Sequence, residues 1–160
     1  MFTFYQKISF MKRYILLLSS FILLKFAAAQ PLAGHLWESR PILLFTPSPA
    51  GTAYRQQLDI LTKAGGEVTD SSLVIYTICP KGGKKPDGGT LSAIQADALY
   101  SKYGITPGQG FTFLLIGKDG TEKLRKKEPV STRELFSLID SMPMRKAEMR
   151  RKEKNKGHKK

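Results

Sequence analysis

The chain has 160 residues and a formal net charge of +13, very unevenly placed: residues 1–29 carry +4, residues 145–160 carry +7, and the body between them only +2. The body is therefore nearly neutral, and the basicity lies in the tail. A lone cysteine, Cys79, excludes an internal disulfide.

Residues 1–29 read as an export signal. Lys7, Lys12 and Arg13 precede an apolar run from Tyr14 to Leu24, and Ala27, Ala28 and Ala29 offer a small-residue cleavage site before Gln30. The run is shorter than the roughly 20 apolar residues that a membrane helix needs. A cleaved signal is therefore expected, with the mature protein periplasmic or secreted and not spanning a membrane. An uncleaved N-terminal anchor is the competing reading. The remainder divides into a folded body, 30–144, and a basic tail, 145–160. A body of this size can bury a core without staples.

Residues 40–46 (RPILLFT) form an apolar run headed by Pro41, read as a strand covered on both faces. A loop follows at 47–51 (PSPAG). Thr52 opens a helix in which Tyr54, Leu58, Leu61 and Ala64 recur at helical spacing, with Gly65 and Gly66 as its stop. Residues 72–79 (SLVIYTIC) are rich in β-branched and aromatic side chains and read as a second buried strand, with Cys79 buried at its end. Residues 80–89 (PKGGKKPDGG) read as a flexible surface loop. Lys81, Gly82, Gly83, Lys84 and Lys85 within it are glycine-rich and basic, as phosphate cradles are, but no Gly-Lys-Ser/Thr opens a helix after them.

Thr90 or Ser92 caps a second helix with Ile94, Ala98, Leu99 and Tyr103 on one side and Gly104 at its end. Residues 111–117 (FTFLLIG) are a third strand. Lys118, Asp119 and Gly120 make a hairpin turn, Asp-Gly suiting the positive φ angles of such turns. Residues 121–126 return as a more polar edge strand. Ser131 and Glu134 form a capping box before a helix with Leu135, Phe136, Leu138, Ile139 and Met142 on its apolar face. Pro143 interrupts that helix. The tail beyond is charged throughout, a solvated helix or a disordered arm.

The order β-α-β-α-β-β-α implies an α/β fold. Strands separated by helices are expected to pair in parallel, the final hairpin adding an antiparallel strand to a four-stranded mixed sheet with helices on both faces. This is the order of thioredoxin-like proteins, a three-layer sandwich. Residues 103–122 (YGITPGQGFTFLLIGKDGTE) look like the thioredoxin stretch that leads through a cis-proline to an apolar strand and a hairpin. More specifically, LLIGKDGTEKLR (114–125) followed by ELFSLIDSMPMRKAEMR (134–150) resembles the domain-of-unknown-function family 4174. That family occurs in bacterial exported proteins and in vertebrate matrix and sushi-repeat-containing proteins, where it has been described as peroxiredoxin-like. The resemblance covers about residues 35–150. It implies a fold, with no established activity, cofactor or catalytic residue to carry over.

The resemblance also sets a test of chemistry. Thioredoxins need a low-pKa cysteine at the start of the first helix, where the helix N-terminus stabilises the thiolate. The matching loop, 46–52 (TPSPAGT), has Ser48 and Thr52 but no cysteine. A hydroxyl nucleophile needs a base beside it, and His35 and His158 lie near the two ends of the mature chain. Phe111 stands where the cis-proline would be. Asp119, Glu122, Glu134 and Asp140 show no metal-ligand spacing. Trp37 and the tyrosines form no aromatic-basic stripe of the kind nucleic-acid platforms use.

No catalytic, cofactor or metal residue is therefore expected. A non-catalytic binding or scaffold module at the cell envelope is the favoured reading. A redox-related enzyme working through Cys79 or a non-thiol site is the alternative, and a self-associating structural domain the third. Lys118, Arg125 and Arg145 are the candidate contact surface. Arg150, Arg151, Lys152 and Lys154 are candidates for binding an anionic envelope surface, through a salt-sensitive field. An unidentified protein is the other partner considered, and the export signal argues against nucleic acid.

Overall fold

In the computed structural model, which describes residues 31–157, the run headed by Pro41 is strand β1 (Arg40–Phe45), buried throughout. The expected export signal and the last three residues of the tail lie outside the described residues. Side chains alternate along β1. Ile42 and Leu44 enter one core, and Leu43 and Phe45 enter another on the opposite face. Helix α1 (Thr52–Lys63) packs Tyr54 and Leu61 into the first core. Strand β2 (Leu73–Cys79) then returns parallel to β1, Leu43 opposite Tyr76. Helix α3 (Ala93–Tyr103) covers the second core with Ala96, Leu99 and Tyr100. The arrangement is helix, sheet, helix in three layers, as the α/β reading requires.

The sheet has six strands rather than four, in the order β4-β3-β2-β1-β5-β6. The extra pair, β3 (Gly82–Lys84) and β4 (Thr90–Leu91), lies largely in the segment expected to be a loop. Gly82 pairs with Cys79 and Lys84 with Thr77, antiparallel. A Cβ on Gly83 would collide with the Thr77 carbonyl. Glycine is there because backbone meets backbone, and no strand propensity in the segment announces the pairing. Thr90 belongs to β4. Ser92 is the cap of α3, in a reciprocal box with Gln95.

Other expectations also needed the tertiary structure. Strand β5 (Thr112–Ile116) runs antiparallel to β1, not parallel, because the stretch after α3 delivers the chain to the end of the sheet where β1 finishes, Thr112 opposite Phe45. Helix α1 ends at Lys63, just before Gly65 and Gly66 as expected, but the two glycines also open a second short helix, α2 (Gly65–Asp70), beyond Ala64. Leu58 and Ile94 stay exposed, at 37% and 69%. Their places in the core are taken by Gln57 and Ala96, one residue before and two after. Strand β6 (Glu122–Lys126) is the polar edge expected. Of the turn residues, Gly120 takes the left-handed angle (φ 75°), whereas Asp119 accepts hydrogen bonds from the backbone and side chain of Thr121.

Ser131 caps α4 (Thr132–Ser141) by accepting from the Glu134 N–H, but the Glu134 carboxylate pairs with Lys126 at 3.1 Å. Pro143 begins a helix, α5 (Pro143–Gly157), as proline does where its missing N–H is harmless. Among the described residues, no helix is long and apolar enough to cross a membrane.

Candidate functional site

The end of the sheet where β1 finishes is where a thiol enzyme of this architecture needs its nucleophile. Thr46 closes the strand by donating its N–H to the Ile78 carbonyl at 2.9 Å. The loop then folds on itself. Thr46 Oγ1 donates to the Ser48 carbonyl at 2.8 Å, and Ser48 Oγ accepts from the Ala50 N–H at 3.1 Å. Gly51 precedes α1 with no capping side chain. His35 lies beyond the opposite end of β1, next to Ser39, so among the described residues no imidazole backs these hydroxyls.

Cys79 comes to this same end, since β2 runs parallel to β1. It is half-buried rather than buried. Burial pushes its thiol pKa up, opposite to what a redox nucleophile needs. The nearby Tyr100 hydroxyl donates to the Ile78 carbonyl; burial first, then the Cys79 and Asp97 charges, push its pKa up to about 12.

At the other end of the sheet, residues 31–37 pack across the start of β1 and the end of β5. Between this segment and α3 lies a cavity of about 410 Å³. His35 anchors the segment. Its Nδ1 is 2.7 Å from Ser39 Oγ, and its Nε2 is 2.7 Å from the Tyr76 hydroxyl. Tyr76 in turn donates to the Pro31 carbonyl at 3.0 Å, so its oxygen accepts from Nε2–H. Burial lowers the His35 pKa, opposed by Glu38. Sequence reasoning left this anchor unseen, because its two halves are 41 residues apart.

The three candidate contact residues, Arg145, Lys118 and Arg125, each have partners within the chain. Arg145 is only 6% exposed. It ties α5 to α2 and α4, its Nη2 2.5 Å from Asp70 Oδ2 and its Nε 3.0 Å from Asp140 Oδ1. Lys118 is also drawn in, its Nζ 2.9 Å from Glu148. Arg125 forks onto Glu122 and donates to the Tyr103 carbonyl at 2.9 Å. All three cations are committed within the chain.

The decisive partner is Arg40, a buried cation that apolar patterning hides inside a strand. Its guanidinium donates to the Ser71 carbonyl at 2.8 Å and grips both Glu148 oxygens at 3.2 Å. Burial disfavours ionised Glu148, but hydrogen bonds from Lys118 and Arg40 prevail and hold its pKa below the ordinary value. Asp70 is held at about 2 by hydrogen bonds from Lys152 and Arg145. These pairs fasten the first half of α5 to the body. Arg150 and Arg151 stand exposed, Lys152 is half-exposed and paired with Asp70, and Lys154 is exposed with an interaction of its own. Among the described residues, no group of three or more His, Cys, Asp or Glu could hold a metal ion.

A family model described as "Domain of unknown function (DUF4174)" matches residues 31–148, which takes in the clasp residues from Arg40 to Glu148. No curated protein matches the chain. Among solved structures, the reduced 2-Cys peroxiredoxin of Plasmodium vivax is similar, with a TM-score of 0.51 and 17% identity over 69% of this chain and 80% of that one. At that identity the likeness shows the fold alone.

Proposed function

The chain belongs to the DUF4174 family, and on that premise we propose that it is an exported, non-catalytic binding module that uses a thioredoxin-like body to present a basic helix to the anionic surface of the cell envelope. The loop after β1 carries the non-catalytic part of this reading. Where a thiol enzyme keeps its thiolate, Thr46 and Ser48 turn their hydroxyls back into hydrogen bonds of their own loop. Helix α5 supports the binding part. Its inner side is fastened through Arg145 and Glu148, and Arg150 and Arg151 remain exposed. An arm held in this way presents its charge in a fixed direction, and such binding is electrostatic and salt-sensitive.

Two measurements test the reading. Disulfide reductase and thiol peroxidase assays on the wild type and Cys79→Ala are expected to show no turnover above buffer. Turnover lost with Cys79 would establish instead the redox alternative, which the position of Cys79 beside the loop keeps in play. Co-sedimentation with phosphatidylglycerol vesicles is expected at low salt and lost at high salt. Retention at high salt, or unchanged binding after removal of residues 150–160, would refute the role given to the helix.

A further inference from the structure

Leu36 and Trp37, just before β1, stand 48% and 62% exposed. Leu58 and Ile94, the other exposed large apolar side chains among the described residues, stand singly on α1 and α3, which is ordinary for a protein surface. The Leu36–Trp37 pair differs, because the fold holds it outward under strain. Trp37 takes a left-handed backbone angle (φ 66°), uncommon for a bulky residue. Its surroundings enforce that angle. The Trp37 N–H donates to the Lys118 carbonyl at 2.6 Å, and the Glu38 and Ser39 N–H groups both turn back onto the His35 carbonyl at 3.1 Å. His35 is itself fixed by Ser39 and Tyr76. Backbone strain of this kind persists only where neighbours over-determine it, and it clusters where a protein meets a ligand.

The pair lies at the same end of the sheet as α5. Lys118, whose carbonyl receives the Trp37 N–H, reaches with its Nζ to Glu148 of α5 at 2.9 Å. Arg40, three residues after Trp37 and so within about 11 Å of it, grips the same carboxylate. Helix α5 therefore crosses the end of the sheet from which Trp37 projects. At about 100° per residue, Arg150 points away from the docked Glu148 and Arg151 to its flank, and both are exposed. Lys102, exposed on α3, lines with Leu36 the half-open groove between residues 31–36 and that helix. Asp119, in the neighbouring turn, is paired with Lys123 at 2.7 Å. Glu38, exposed beside Trp37, is the opposing charge. An apolar pair flanked by cations matches the interface of an anionic bilayer, where indole rings settle at headgroup level and basic side chains meet phosphates.

We propose that Leu36 and Trp37 are the apolar half of a bilayer-docking surface, entering the headgroup layer of an anionic membrane while Arg150, Arg151 and Lys102 face its phosphates. This rests on the reading of α5 given above and adds an orientation to it. The end of the sheet where β1 begins faces the lipid, and the loop after Phe45 faces away from it. A basic helix alone holds a membrane by charge only. Buried apolar area beside it supplies the second of the two signals that stable peripheral binding takes.

The test uses the chain from residue 30 onward, which contains every described element, with vesicles of phosphatidylglycerol or phosphatidylcholine at low salt. Trp37 is the sole tryptophan, so its emission reports this site alone. On phosphatidylglycerol its emission is expected to shift to the blue and to be quenched by lipids brominated on their acyl chains. Trp37→Asn, in which asparagine accepts the left-handed angle and Tm is kept, is expected to co-sediment about tenfold more weakly. Glu38→Gln, which removes the opposing charge, is expected to bind about fivefold more tightly. Trp37 emission unmoved on bound vesicles, Trp37→Asn binding as the wild type, or Glu38→Gln binding no tighter would each overturn this inference and leave the basic-helix reading standing. So would a blue shift that grows with protein concentration in the absence of lipid, which would put a second copy of the chain on the pair. No binding to phosphatidylglycerol, or equal binding to phosphatidylcholine, would overturn both.

Discussion

Replacing Glu148 separates two descriptions of the C-terminal helix. If α5 merely touches the body through surface charges, Glu148→Ala should cost no more than the ~1 kcal/mol of an exposed ion pair. The geometry points elsewhere. The Arg40 side chain is 1% exposed, Glu148 is 23% exposed, and Lys118, the second cation on the carboxylate, is 11% exposed. Without Glu148, the buried Arg40 guanidinium keeps only the Ser71 carbonyl, and its Nε already has no partner. Removing one partner of a buried pair typically costs about 3–5 kcal/mol. The partial exposure of Glu148 lets water replace some of the loss, so about 2–4 kcal/mol is expected. At roughly 4 °C per kcal/mol for a domain of this size, Tm should fall by about 10 °C. Thermal and urea denaturation followed by circular dichroism at neutral pH would measure it. Glu148→Gln should lose somewhat less, and the pair Arg40→Leu with Glu148→Leu should recover most of the stability, because apolar packing replaces the buried charges. A drop under about 2 °C for Glu148→Ala would show that Arg40 reaches water and that the helix is not docked as described.

Three further predictions concern other parts of the body. Gln57 is fully buried, and its side chain accepts from the Val130 N–H at 2.6 Å and donates to the Val130 carbonyl at 3.2 Å; Gln57→Ala should cost about 2–4 kcal/mol in urea denaturation, and a change under ~1 kcal/mol would mean water takes over both groups. Gly83→Ala sets a methyl group against the Thr77 carbonyl and should unzip β3 and β4, read as faster tryptic cleavage at Lys81 and Lys84; unchanged cleavage would refute the backbone-packing reason for glycine. Asp70 and Glu148 both have folded pKa values below their ordinary ones, so their contribution is fully present above about pH 4–5 and is lost as pH falls toward about 2. Helicity and Tm measured across that window should drop, less so in Asp70→Asn, and a flat profile would exclude the clasp as an acid-sensitive element.

What the sequence determined by itself was local. Continuous apolar runs rich in β-branched and aromatic residues placed β1, β2 and β5. The polar return after Gly120 placed the edge strand β6, and Ser92 and Ser131 placed the starts of α3 and α4. Each signal acts within a few residues, through side-chain period or a cap hydrogen bond, so no distant contact is needed to read it. The family resemblance, carried by the stretch from the β5–β6 hairpin into α5, added the thioredoxin-like order. Everything that depends on pairing between remote residues was decided by the tertiary structure. Strands β3 and β4 exist because glycine lets one backbone reach another, and composition alone reads as loop. The ion pairs of Arg145 and Lys118, given in the sequence reading as contact residues, were not legible there because their partners Asp70, Asp140 and Glu148 come from other elements; Glu148 itself meets Arg40 108 residues away. The cavity between residues 31–36, α3 and the end of β5 likewise appears only when those segments are brought together, since a cavity belongs to no single segment.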